Sequence, residues 1–143
     1  MNPVRALIRL IEAGLLLGRR TFEGPEVAAL LNSRDDRSFE TEWLSLFRRL
    51  EALPALDDED KKQVDALREK AFKVAYKHSR EPDLAGYVSD DFEVIGRGLL
   101  VTPADSFVQR LLNTYAQGRV PGAGKLSQAR PTEQVIAELE SEL

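Results

Sequence analysis

The chain has 143 residues and a net charge of −4; 43% of them are apolar and 31% charged, a balance that excludes disordered and fibrous classes. A length of this order suits one domain, residues 1–143, able to bury a core without staples. There is no cysteine, which excludes disulfides, thiolate zinc sites and cysteine nucleophiles.

Asn2 and Pro3 open the first predicted helix as N-cap and first-turn proline. Val4, Leu7, Ile8, Ile11 and Leu15 recur at helical spacing, and Leu10, Ala13, Leu16 and Leu17 widen the apolar surface almost all round. Only Arg5, Arg9 and Glu12 form a polar stripe, so a largely buried N-terminal helix at the centre of a bundle is expected. Arg9 and Glu12 also break the apolar run, and no unbroken span of about 20 apolar residues occurs anywhere. A secretory leader and a membrane span are therefore not expected, and a cytoplasmic protein is.

Gly24 and Pro25 restart the chain; a short helix then carries Val27, Leu30 and Leu31 and stops near Asn32, before a polar loop, SRDDRS. Ser38 can cap the next helix, which presents Trp43, Phe47, Leu50 and Leu53 and closes at Pro54. Asp57, Asp58, Glu59 and Asp60 begin the longest helical pattern, where acids face the positive end of the helix dipole. Val64, Leu67, Ala71, Val74 and Ala75 form its inward stripe, His78 and Arg80 fall near its negative end, and Pro82 stops it.

The stretch SDDFEVIGRGLLVT reads two ways. Ser89 can cap a helix bearing Phe92, Ile95 and Leu99, or FEVI and LLVT can be strands turned by Gly96-Arg97-Gly98. A lone hairpin lacks a third strand, which favours the helix. Thr102-Pro103-Ala104-Asp105 starts a further helix with Phe107, Val108, Leu111, Leu112 and Tyr115 on one face, ended by Gly118. A last helix opens near Pro131 and Thr132 and carries Val135, Ile136 and Leu139. The expected fold is an all-α, single-domain bundle of six or seven helices.

Enzyme chemistry finds little support. The phrase RVPGAGK invites comparison with a phosphate-binding loop, G-x-x-x-x-G-K-[ST]. With Gly124-Lys125 as the G-K pair, Arg119 stands where the first glycine belongs and Leu126 where the hydroxyl belongs. The surrounding pattern is also helix then connector, not strand then helix. His78 is the single histidine and has no nucleophile elbow or Glu-x-x-His pair to work with. The acids Asp35-Asp36, Asp57 to Asp60 and Asp90-Asp91-Glu93 lie at loops or helix starts, not at the spacing of three or four that shares a helix face. No catalytic, metal-binding or cofactor residue is assigned.

Binding is the better reading. Residues 54–93 carry seven basic side chains against eleven acidic ones, the whole of the net charge, which suits a protein partner more than nucleic acid. Nucleic acid is the alternative, through a stripe of Lys70, Lys73, Lys77 and Arg80 on one helix face. The phrase EVAALLN is similar to the first helix of a helix-turn-helix, but Glu40 and Glu42 would point the second helix's acids at DNA. The phrases SDDFEVIGRGLLV and DSFVQRLLNTYAQGRVP, over residues 89–121, resemble small bacterial immunity proteins, the cytoplasmic inhibitors that protect a cell from interbacterial toxins. That resemblance implies a non-enzymatic protein that folds alone and blocks one toxin. The contact groups expected are exposed acids, Asp57, Asp58, Glu59, Asp60, Asp90, Asp91 and Glu93, with Tyr87 as an aromatic anchor. Trp43 is a second aromatic anchor by type, although its spacing assigns it to the core.

Overall fold

In the computed structural model, which describes residues 2–23 and 26–143, most helices begin where a side chain or a proline disposes of the first unpaired N–H groups. Asn2 caps α1 (Pro3–Glu12) by accepting from the Val4 and Arg5 N–H groups at 2.9 and 3.2 Å. A 3-10 turn (Arg19–Phe22) and α2 (Val27–Arg34) follow. Asp36 caps α3 (Arg37–Glu51) through the Ser38 N–H at 2.9 Å, and Asp57 caps α4 (Asp58–Ser79) through the Asp60 N–H at 2.7 Å. Pro82 occupies the first turn of α5 (Pro82–Val101). Asp105 caps α6 (Ser106–Ala116) through the Phe107 N–H at 2.9 Å, and α7 (Thr132–Glu140) completes the set. Among the described residues these are seven α-helices and no strand.

The all-α expectation therefore holds, with boundaries moved. The restart expected at Gly24-Pro25 lies outside the described residues. SRDDRS is not a loop: α2 runs to Arg34, only Asp35 and Asp36 intervene, and Asp36 rather than Ser38 is the cap. SDDFEVIGRGLLVT is helix, but Ser89 does not start it. It lies inside α5 and donates its hydroxyl to the Arg68 carbonyl at 3.1 Å. The first helix ends at Glu12, yet Leu16 and Leu17 in the turn beyond it stay buried.

Half of α1 is buried, with Arg5, Arg9 and Glu12 on its exposed side. The central position expected for it belongs to α5, where eleven of 20 residues are buried. α4 and α5 form an antiparallel pair across the Arg80-Glu81 connection, and α1, α3 and α6 pack around α5. The dipole does not govern His78. Its ring stacks on Phe22 at 6.1 Å, and burial, then Lys77 and Arg19, hold its pKa below the ordinary value.

Gly98 sets how closely α5 meets α6. A Cβ there would stand 2.6 Å from Val108 Cγ2, and a β-branched valine has little freedom to turn away. Gly98→Ala is expected to cost about 1–3 kcal/mol despite alanine's better helix propensity. Gly86, in the same helix, has nothing within 4 Å of its added Cβ, so Gly86→Ala is expected to gain roughly 0.5–1 kcal/mol. Urea unfolding of both variants tests the pair, and equal shifts of one sign would contradict the packing account.

Candidate functional site

The most constrained polar group in the chain is Asp91. It sits on the inner face of α5, fully buried, and each carboxylate oxygen accepts two hydrogen bonds. Oδ1 receives Arg34 Nη2 at 2.6 Å and Trp43 Nε1 at 2.9 Å. Oδ2 receives Arg34 Nη1 at 2.6 Å and the Tyr115 hydroxyl at 2.6 Å. Arg34 Nη1 also donates to the Pro121 carbonyl at 3.2 Å. One carboxylate thus joins α2, α3, α5, α6 and the connector after α6.

The guanidinium of Arg34 lies between two aromatic faces, 4.7 Å from the Phe39 centroid and 5.0 Å from that of Tyr87. Burial alone would lower the Arg34 pKa, but the Asp91 charge and hydrogen bonds outweigh it and raise it. Burial, then the Asp91 charge, push the Tyr115 phenol well above its ordinary value, so it remains a donor. Every lone pair of the Asp91 carboxylate is therefore engaged within the protein. This cluster is a structural tie.

The glycine-rich connector belongs to the same tie. Gly122 passes so close to α2 that an added Cβ would meet Ser33 Oγ at 2.2 Å, and the Ala123 N–H donates to the Ser33 carbonyl at 3.0 Å. Gly122 serves this close approach, while Gly124, with nothing within 4 Å of an added Cβ, takes a φ of 72° in the turn that follows, in keeping with a connector rather than a phosphate loop.

Above the tie a groove of about 300 Å³ opens to solvent, lined by Arg34, Asp35, Phe39, Glu40, Trp43, Leu44, Tyr87 and Asp90. A second groove of about 360 Å³ shares Asp35, Tyr87 and Asp90 with it and adds Asp83. Tyr87 is the ridge between them, its hydroxyl donating to Asp35 Oδ1 at 2.8 Å. That hydrogen bond, then burial, raises the Tyr87 pKa. Burial raises the Asp90 pKa too, with Arg68 opposing at 3.1 Å.

The acids named from sequence fall into three environments. Asp91 is not an exposed acid but wholly buried, which corrects the expectation, because its neighbours on three other helices supply donors for every lone pair. Glu93 is half-buried between Arg68 and Arg97, while Asp90 and Tyr87 reach the grooves. Asp57, Asp58 and Glu59 are exposed and Asp60 is half-buried, with Arg5 Nη2 3.8 Å from Glu59. Arg68, which holds Asp90, lies eight to eleven residues further along α4, roughly 12–17 Å by helix rise. The two acidic regions are therefore separate surfaces.

Sequence reasoning missed Arg34, Asp35, Phe39, Glu40 and Asp83 as groove residues. Arg34 follows the buried Leu30 by four residues, a signal that it turns inward. No local pattern announces the others. Trp43 is packed and yet reaches the groove: it is half-buried, stacked on Phe47 at 5.7 Å, and part of the groove lining.

The lysine stripe is partly neutralised. Lys70 Nζ lies 3.3 Å from Glu12 and Lys73 Nζ 2.7 Å from Glu69. Among the described residues no three His, Asp or Glu side chains are grouped to hold a metal, and no helix is long and apolar enough to cross a membrane.

No curated protein sequence matches the chain. A family model does: the one described as Immunity protein PIM1 matches residues 6–122, which takes in most of α1, all of α2 to α6 and the whole Asp91 network.

Proposed function

The chain belongs to the Immunity protein PIM1 family, and from that premise we propose that it is a non-catalytic inhibitor that binds one cognate toxin in the cytoplasm and neutralises it. The observation that carries this reading beyond the family is the state of the buried polar groups. Arg34, Asp91 and Tyr115, the groups best equipped for chemistry, are spent on one another, while the aromatic and acidic side chains around them face solvent. Such a surface suits recognition, in which an aromatic anchor and a rim of charge supply affinity and steering. The absence of cysteine agrees with a reducing compartment. Nucleic-acid binding is the weaker reading, because Lys70 and Lys73 already have carboxylate partners.

Affinity-tagged protein, passed through nuclease-treated lysate of its source cells, tests the proposal. The expected capture is one stoichiometric protein that arrests growth when expressed alone and no longer does when this chain is expressed with it. Capture of nucleic acid alone, or of proteins harmless on expression, removes the inhibitor reading.

A further inference from the structure

We propose that the groove beside Tyr87 is the seat of an arginine side chain presented by the protein partner. The inference rests on the toxin-binding reading and names the contact face within it. Its size comes first. At about 300 Å³ the groove stands at the bottom of the range for sites that enclose a whole small ligand, so it suits one long side chain.

Its walls come next. Half-buried Trp43 and Tyr87 offer aromatic surface over the buried Phe39, and Leu44 adds aliphatic surface, so an incoming chain meets both a stem-binding wall and aromatic surface that attracts a cation. The charge then selects the occupant. The one cation in the lining, Arg34, is cancelled by its bidentate contact with Asp91 and is 3% exposed. Asp35, Glu40 and Asp90 remain on the rim; Asp90 is paired with Arg68 at 3.1 Å, whereas Glu40 makes no ion pair among the described residues. Asp83, in the adjoining groove, adds a further carboxylate on the far side of Tyr87. An apolar occupant would leave Glu40 facing it without a counter-ion and would forgo the charge of Asp35, which accepts only from the Tyr87 hydroxyl, and an acidic one would be repelled.

A flat guanidinium satisfies both features at once, stacking on rings while its N–H fork meets carboxylates, which a compact ammonium does less well. The protein already makes this arrangement one layer below, where Arg34 lies between Phe39 and Tyr87 and pairs with Asp91.

The chain has a single tryptophan, and Trp43 is in the groove, so its fluorescence reports occupancy directly. The probe is the tripeptide acetyl-Gly-Arg-Gly-amide, compared with its citrulline analogue, which keeps the shape and loses the charge. A saturable fluorescence change is expected with arginine, at least about tenfold weaker with citrulline. The same loss is expected for arginine on the Glu40→Gln, Asp90→Asn variant, while Glu142→Gln, at an exposed acid outside the groove lining, binds as the unsubstituted protein does. Glu40→Gln alone, at an exposed residue without an ion pair among the described residues, serves if the double variant loses its helical circular dichroism. No saturable change, equal binding of citrulline, or undiminished binding by the groove variants overturns the assignment. Growth rescue separates it from the underlying reading. Groove variants that neutralise the captured toxin as well as the unsubstituted chain overturn the groove alone, whereas an unsubstituted chain that neutralises nothing overturns the toxin-binding reading.

Discussion

Asp91→Ala is expected to destabilise the protein by about 3–5 kcal/mol, roughly 10–15 °C in Tm for a domain of this size. The substitution does not merely delete hydrogen bonds. It leaves the Arg34 guanidinium, 3% exposed and enclosed by Phe39 and Tyr87, as a buried charge with no counter-ion. It also strands the Trp43 N–H and the Tyr115 hydroxyl. The companion variant carries the argument. Arg34→Met combined with Asp91→Leu removes both charges together, and an ion pair replaced whole by apolar groups is often no worse than neutral. The double variant is therefore expected to unfold closer to the unsubstituted protein than Asp91→Ala does. A loss below about 1 kcal/mol for Asp91→Ala, within the range of an exposed pair, would contradict the tie across four helices.

Phe92→Ala is expected to cost about 3–5 kcal/mol. Phe92 neighbours Asp91 on α5, is fully buried, and meets the Tyr115 ring at 4.8 Å with the planes inclined by 50°. Removing the ring takes away apolar burial and leaves a cavity in the helix around which α1, α3, α4 and α6 pack. It also withdraws a wall that holds Tyr115 against Asp91, so Phe92→Ala and Tyr115→Phe are expected to be non-additive. Urea unfolding of the two single variants and the double gives the coupling. Strict additivity, or a loss under about 1.5 kcal/mol for Phe92→Ala, would show that the ring packs independently of the polar tie or that the core closes over the gap.

Neither effect is visible along the chain, and the reason is instructive. Phe92 stood out in sequence as an apolar residue in helical register, so its burial was legible, but its partner Tyr115 lies on another helix. Asp91 looked like any acid in SDDFE. It shares its local setting with Asp90, which is exposed, and residue type alone does not separate them. Position on the helix relative to Val88, Phe92 and Ile95 turns Asp91 inward, and the pairing that makes this tolerable comes from Arg34, Trp43 and Tyr115, 57, 48 and 24 positions away. The same limit applied to SRDDRS. A polar run reads as loop, but Arg34 continues α2 because its charge has somewhere to go.

What the sequence by itself determined is the helical class, most of the inward stripes and the absence of assembled catalytic motifs. These rest on spacings of three or four residues, on caps and on prolines, interactions that close within a turn and so are written locally. Even there the caps shifted, since Asp36 and Pro82, upstream of the favoured starts, open the helices in place of Ser38 and Ser89. The tertiary structure alone decided that α5, not α1, is central, that Asp91 is a buried tie while Asp90 is a rim acid, and that Tyr87 and Trp43 share a groove with Glu40. Burial of a charge depends on which partner the fold brings to it, and the partners here come from helices far apart in the chain.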